Sequence, residues 1–188
     1  MQSINSYPSL ADVQYRILNA IVNLYRYDRE LFEVDANERS ITHKLAEHLQ
    51  REFPQWHVDC EYNRCGFNVK KLIEIHNNHY QSEINNFEDT EARSVFPDII
   101  VHKRTTHLNL LVIEVKKDNN SDSTIDIEKL KAFGQDENYH YQFGLFLRLG
   151  PTGCTEIQFY IEGENIQEEG ELLHQLIQDN LKELGYGG

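Results

Sequence analysis

Three charged residues stand at the ends of two apolar runs in the stretch "SVFPDIIVHKRTTHLNLLVIEVKK", residues 94–117. Asp98 opens the first run, and Glu114 and Lys116 close the second. Charged groups at the ends of buried strands are costly unless they are paired or hold a metal ion. The types and positions of these residues therefore raise the question of what chemistry two carboxylates and an ammonium group could perform together.

In a β-strand alternate residues share a face, so Glu114 and Lys116 would project to one side of the sheet, with the backbone carbonyl of Val115 near both. If Asp98 lies beside them on a neighbouring strand, two carboxylates and one carbonyl converge. Oxygen ligands of this kind suit Mg²⁺ or Mn²⁺. Such an ion lowers the pKa of a bound water and neutralises a scissile phosphate, while Lys116 could orient the water or stabilise transition-state charge.

This arrangement resembles the PD-(D/E)xK nuclease superfamily: PD, ending at Asp98, is followed by fifteen residues and then by EVK, Glu114 to Lys116. The resemblance covers roughly residues 37–149. It implies a restriction-endonuclease-like core in the order helix, three strands, helix, strand. It also implies that Asp98, Glu114 and the Val115 carbonyl are metal ligands and that Lys116 is the catalytic lysine.

Three further residues are candidates through the same resemblance. Many members add a glutamate from the first core helix, which Glu38 matches, although Glu38 could instead form a capping box with Asp35. Some exonuclease-like branches carry Q-x-x-x-Y on the next helix, and "QDENY" offers Gln135 and Tyr139, which would share a helix face. A solvated amide and a half-buried tyrosine are the alternatives. Those branches usually have a glycine before the strand aspartate, whereas this chain has "VFPD", as restriction enzymes do.

The spacing of apolar residues predicts the elements that must position these side chains. The predicted fold is α/β: one domain over 1–188 with a mixed, mostly antiparallel sheet flanked by helices. An N-terminal helix and an acidic C-terminal helix lie outside the nuclease-like core. The polar, Asn-rich residues 77–95 predict a long loop or mobile insertion. The predicted helices are 10–32, 38–53, 125–140 and 165–184, and the predicted strands are 56–62, 69–75, 98–103, 109–116, 143–149 and 155–161, the last at a sheet edge.

The net charge of −13 argues against simple non-specific binding to nucleic acid, but its distribution weakens that objection. From residue 156 onward there are eight acidic residues and one basic residue, whereas residues 93–117 have a net charge of +3. Within that basic stretch, Lys103, Arg104 and Lys117 could contact phosphates or could simply be solvated. His102 shares the face of Asp98 by alternation, and a structural role is the more ordinary interpretation.

Several features bound the cellular setting. No apolar run approaches the roughly 18 residues that a membrane span requires. The first residues lack the basic segment and apolar stretch of a signal peptide, and three cysteines form no disulfide framework, so we expect a reducing cytoplasm. A zinc site from Cys60, Cys65, His76 and His79 has unusual spacing, and a buried thiol is preferred for Cys60.

The sequence therefore predicts an enzyme: a Mg²⁺- or Mn²⁺-dependent nuclease that hydrolyses phosphodiester bonds. By the resemblance, its substrate is DNA rather than RNA. The alternative is a catalytically inactive nuclease-fold subunit that acts as a protein- or nucleic-acid-interaction module. The acidic helix over 165–184 would then dock a basic partner or a second copy of the chain.

Overall fold

The computed structural model describes residues 7–62, 64–65, 68–69, 96–120 and 122–186, with the backbone alone for 64–65 and 68–69. The predicted insertion over 77–95 lies outside these residues, as does nearly all of the strand predicted over 69–75. The described part of the chain forms five helices and eight strands. They are α1 Leu10–Tyr27, α2 Glu30–Glu33, α3 Glu38–Glu52, β1 His57–Cys60, β2 Arg64–Cys65, β3 Asn68–Val69, β4 Ile99–His102, β5 Asn109–Lys117, α4 Thr124–Gln135, β6 Phe143–Gly150, β7 Gly153–Ile161, β8 Glu164–Asn165 and α5 Gln167–Glu183.

Six strands form one mixed sheet in the order β1-β4-β5-β6-β7-β8, and β2 pairs with β3 separately. β5 and β6 are parallel and are joined through α4, whereas the other neighbours are antiparallel. This confirms the α/β class and the mixed sheet flanked by helices. In the described residues β8 pairs with Tyr160 and Ile161 alone, so most of β7 lies at the sheet edge, as predicted.

The two faces of the sheet build two apolar cores of different size. On β5, Leu111, Ile113 and Val115 enter the larger core, which α1, α3 and α5 cover. Val112 enters the smaller core beneath α4. Alternation therefore turns Glu114 toward α4, on the same face as Val112. The buried residues of the smaller core are Ile100, Val112, Leu130, Phe133, Tyr139, Tyr141, Phe146 and Tyr160.

No helix in the described ranges is long and apolar enough to cross a membrane. The cytoplasmic location stays a prediction.

The start of α3 corrects the predicted capping box. Asn37 is the N-cap, and its Oδ1 accepts a hydrogen bond from the Ser40 N–H at 2.9 Å. Asp35 lies two residues before that cap, with a φ of 52°. Glu38 is consequently the first residue of the helix rather than the third. The capping-box explanation of Glu38 is wrong, and its side chain has other partners.

Two predicted helices end earlier than expected. The helix predicted over 10–32 is divided into α1 and α2, because the backbone leaves helical geometry at Asp28. The Asp28 carboxylate lies 2.7 Å from Nε2 of the buried His48 on α3, which ties the break to the neighbouring helix. α4 ends at Gln135, not at residue 140, and Asp136 has an extended backbone.

The cap assignment predicts unequal effects of two substitutions. Asn37→Ala should lower the free energy of unfolding by about 1 kcal/mol, since the Ser40 N–H loses its side-chain acceptor and keeps only the Asn37 backbone carbonyl. Asp35→Asn should cost less, because it removes only the exposed ion pair between Asp35 and Lys117. Urea unfolding of the two variants beside wild type measures the difference. A larger loss in Asp35→Asn would contradict Asn37 as the cap.

Candidate active site

β5 runs antiparallel to β4 and continues past Ile99, the first residue of β4, as far as Lys117. Carboxylates line the edge of β5 beyond that point. Ile99 pairs with Ile113, so the continuing register sets Asp98 across from Glu114, as the sequence predicted. Asp98 precedes β4, and its Oδ2 accepts a hydrogen bond from the Val115 N–H at 2.8 Å. The aspartate side chain therefore takes the position of a partner strand's carbonyl.

Glu38 reaches the same edge from the start of α3. Its Oε2 accepts a hydrogen bond from the Lys117 N–H at 3.1 Å, and its Oε1 lies 3.7 Å from Lys116 Nζ. Because the N–H and C=O groups of one strand residue point to the same edge, the Val115 carbonyl lies between the two N–H groups that Asp98 and Glu38 hold. The predicted approach of Glu38 from the helix agrees with this geometry.

Glu114 is fully buried on the face beneath α4. Its Oε2 lies 3.0 Å from Nζ of Lys129, a residue of α4. Its Oε1 is buried and has no hydrogen-bond partner within the described residues, and the same is true of Oε2 of Glu128. A buried carboxylate oxygen without a donor carries most of its desolvation cost uncompensated.

Asp126 joins the two lysines. Its Oδ2 lies 3.0 Å from Lys116 Nζ, and its Oδ1 lies 3.2 Å from Lys129 Nζ. Neither Asp126 nor Lys129 belongs to the motif from which the site was predicted. A usable signal was present, because Asp126, Lys129 and the core residue Leu130 share one helical stripe.

Burial and neighbouring charges together shift the pKa values of this cluster. Burial, together with the nearby negative charge of Asp98, raises the pKa of Glu114 well above its ordinary value, although Lys129 opposes the shift. Burial also raises the pKa of Asp98, against the hydrogen bond from the Val115 N–H. For Lys116, burial lowers the pKa but Asp126 and Glu38 raise it more, and the net shift is upward. The pKa of Lys129 is raised on balance in the same way by Glu114 and Asp126. Both lysines are therefore cationic at neutral pH.

The oxygen atoms of the cluster are of the type that a hard divalent cation prefers. Across 7–62, 96–120 and 122–186, no group of three or more His, Cys, Asp or Glu side chains is arranged to hold a metal ion. The carboxylates are instead engaged by N–H and ammonium groups. The chemistry of the set still fits Mg²⁺ or Mn²⁺, because Asp98, Glu38 and the Val115 carbonyl line one edge and one oxygen of Glu114 has no partner in the described part of the chain.

The predicted pair of Gln135 and Tyr139 is wrong as a shared helix face. α4 ends at Gln135, whose exposed side chain donates a hydrogen bond from Nε2 to Glu164 Oε1 at 3.0 Å. Tyr139 lies beyond the helix and is buried, with its ring 5.6 Å from that of Phe133. The two residues separate because the chain turns at the end of the helix, and no described contact joins Gln135 to the acidic cluster.

The four other polar candidates have partners inside the protein. His102 is buried, with Nε2 2.8 Å from Asp59 Oδ2, as expected of a structural histidine. Arg104 also binds Asp59 through its guanidinium group. Lys103 Nζ donates to a backbone carbonyl before β1, and Lys117 Nζ donates to two acceptors before α3. Phosphate contacts by Lys103, Arg104 and Lys117 stay predictions.

The alternative zinc site has one described side chain. Cys60 ends β1 and is exposed, so the predicted buried thiol is wrong at this position, because the strand stops there. The side chains of Cys65, His76 and His79 lie outside the described residues.

Comparison with protein-family models, with curated proteins and with solved structures found no significant match to this chain.

Because Glu114 is buried, we expect Glu114→Gln to raise the free energy of unfolding relative to wild type by an amount that depends on pH. Between the ordinary glutamate pKa of about 4.3 and the raised folded-state pKa, the native protein binds more protons than the unfolded chain. The free energy of unfolding contributed by Glu114 therefore falls as the pH rises through that window, by up to about 1.4 kcal/mol per pH unit. Glutamine does not ionise, so the advantage of the variant over wild type should grow with pH.

Urea unfolding at a series of pH values between about 4 and 8 measures this advantage. The matched control is Glu137→Gln, at an exposed position after α4, whose difference from wild type should stay flat. An equally flat difference for Glu114→Gln would contradict the raised pKa.

Proposed function

We propose that this protein is a metal-dependent nuclease that hydrolyses phosphodiester bonds with Mg²⁺ or Mn²⁺, built on a restriction-endonuclease-like core. The observation that carries the proposal is the convergence at the open edge of β5. Asp98 and Glu38 hold two consecutive outward N–H groups of that edge. Lys116 projects from the same strand, as does Glu114, one of whose oxygens has no partner within the described ranges. Such a set matches what the PD-(D/E)xK resemblance implies for Asp98, Glu114 and Lys116.

The order of elements supports the same proposal. Apart from the small β2–β3 pair, the chain from α3 onward runs α3, β1, β4, β5, α4 and β6. This is the succession of helix, three strands, helix and strand that the resemblance implies. The third strand of that succession, β5, carries Glu114 and Lys116. Its antiparallel neighbour β4 begins directly after Asp98.

Asp98, Glu114, the Val115 carbonyl and Glu38 are the groups that would hold the cation. When bound, the cation lowers the pKa of water and neutralises charge on the scissile phosphate. Lys116 is cationic, so it acts as a hydrogen-bond donor to the phosphate oxygens or to the attacking water rather than as a base. Water attacks phosphorus in line with the leaving 3′ oxygen. The carboxylate of Glu38 is one-third exposed, so it can accept a hydrogen bond from that water.

DNA rather than RNA as the substrate is proposed from the resemblance. The basic residues of 93–117 lie in the same stretch as the site, whereas the C-terminal part of the chain is acidic. Charge along the sequence thus favours this stretch over the C-terminal part, although Arg104, Lys116 and Lys117 each pair with an acid in the fold.

A second candidate function is a non-cleaving interaction subunit with the same fold. The observation that favours it is the pairing of both site lysines with site carboxylates, which engages both ammonium groups inside the protein. α5 also exposes Leu172 and Leu176 among acidic residues, which would suit contact with a basic partner or a second copy of the chain. Binding of a divalent cation separates the two candidates.

The nuclease proposal predicts that cleavage depends on Asp98 and Lys116. Wild type should cleave at least one of single-stranded, duplex, circular or branched DNA, or RNA, with Mg²⁺ or Mn²⁺. Asp98→Asn and Lys116→Met should each lower the rate by about 10²–10³-fold, because a preorganised charge at the reacting phosphate is lost. Gel-based cleavage assays measure these rates.

The control for that assay is Lys131→Met, which removes an exposed lysine from α4 and should cleave like wild type. Cleavage that persists undiminished in both Asp98→Asn and Lys116→Met would refute the assignment.

A separate prediction concerns the cation alone. Isothermal titration calorimetry without nucleic acid should detect Mn²⁺ or Mg²⁺ binding to wild type. The affinity should fall at least about tenfold in Asp98→Asn because one ligand charge is removed. Asp179→Asn, at an exposed position on α5, is the matched control and should bind as wild type does. Absence of binding in wild type would favour the interaction subunit.

A further inference from the structure

Two charged residues of α4 enter the cluster without any part in the motif that the sequence presents. Asp126 and Lys129 lie three residues apart on one face of the helix. Asp126 is buried, and the Lys129 side chain is 18% exposed. Both point toward β5, where they meet Lys116 and Glu114.

The contacts form a continuous series in which acidic and basic side chains alternate. It runs from Glu38 to Lys116 at 3.7 Å, to Asp126 at 3.0 Å, to Lys129 at 3.2 Å and to Glu114 at 3.0 Å. Asp126 divides its two oxygens between the two lysines. Glu114 gives one oxygen to Lys129, and among the residues that the structure describes the other has no hydrogen-bond partner. Each end of the series is therefore a carboxylate of the proposed metal set.

We propose that Asp126 and Lys129 are positioning residues of this centre, an inference that rests on the proposed nuclease function. Lys129 holds Glu114 by Oε2 and would leave Oε1, which has no partner among the described residues, available to a cation. Asp126 fixes the ammonium groups of Lys116 and Lys129 at a set spacing. Mutation of groups that hold metal ligands in orientation commonly costs about 10–100-fold in metal affinity or activity.

Stability alone is a weak reason for this arrangement, because buried ion pairs rarely stabilise a fold more than apolar residues of similar size. Rigid placement is better supported. Leu130 and Phe133 anchor the same helix in the smaller core, and a Cβ on Gly134 would clash with the backbone nitrogen of Gly163. α4 is thus fixed at the turn before β8, and the positions of Asp126 and Lys129 are fixed with it.

The test compares Lys129→Met, which keeps the length of the side chain, with Lys129→Arg, which restores the charge. Lys131→Met is the control two residues further along α4. Mn²⁺ affinity is measured by calorimetry without nucleic acid. Lys129→Met should bind about 10–100-fold more weakly than wild type, and Lys129→Arg should recover most of the loss. In cleavage assays kcat should fall in Lys129→Met while KM for the nucleic acid stays near wild type.

Asp126→Asn provides a second, independent variant should Lys129→Met fail to fold by circular dichroism. It should lower kcat by about tenfold or more with KM unchanged, because Lys116 loses its anchor. If Lys129→Met binds Mn²⁺ as tightly as wild type or more tightly, or if Asp126→Asn is as active, the positioning role is refuted while the nuclease assignment stands. If wild type neither binds Mn²⁺ nor cleaves, the proposed function fails, and the positioning role fails with it.

Discussion

The burial of one carboxylate on the central strand governs much of this structure. Glu114 lies on β5 with apolar residues before it and α4 above it, and it is fully buried. A carboxylate in that environment requires a cation or a proton nearby. Lys129 supplies an ammonium group to one oxygen. The crossover helix α4 is thereby held by an ion pair as well as by the apolar contacts of its inner stripe. The neighbouring acids and lysines surround the ion pair between Lys129 and Glu114.

The unequal lengths of β4 and β5 supply the second constraint. β4 ends its pairing at Ile99, while β5 continues to Lys117. In the described residues the exposed N–H groups beyond that point are taken by side chains from two different elements, the residue before β4 and the first residue of α3. One strand edge therefore gathers groups that are sixty residues apart in the chain, from Glu38 to Asp98. That gathering, rather than any local motif, gives the cluster its chemical character.

The sequence predicted much of this because alternation and apolar spacing are local signals. The hairpin of β4 and β5 placed Asp98 opposite Glu114 by register, and the face shared with Lys116 followed from alternation. Helix ends were predicted less well. Asn37 rather than Asp35 caps α3, and α4 stops at Gln135, because both ends depend on turns whose geometry the apolar pattern does not encode.

The contribution of α4 to the cluster was missed for a different reason. Asp126 and Lys129 look like an ordinary i,i+3 surface pair, which helices often carry. Only the crossover from β5 to β6 brings that face of the helix onto Glu114. The nuclease activity and its cation follow from the resemblance and remain proposals, whereas the mixed sheet and its flanking helices are described directly.

The carboxylates at the edge of β5 also have a consequence for self-association. A strand edge with free N–H groups is a template for pairing with another chain, and charged side chains at that edge oppose such pairing. Asp98 and Glu38 both occupy the N–H groups and place negative charge there. Resistance to aggregation and the proposed chemistry therefore depend on the same two side chains.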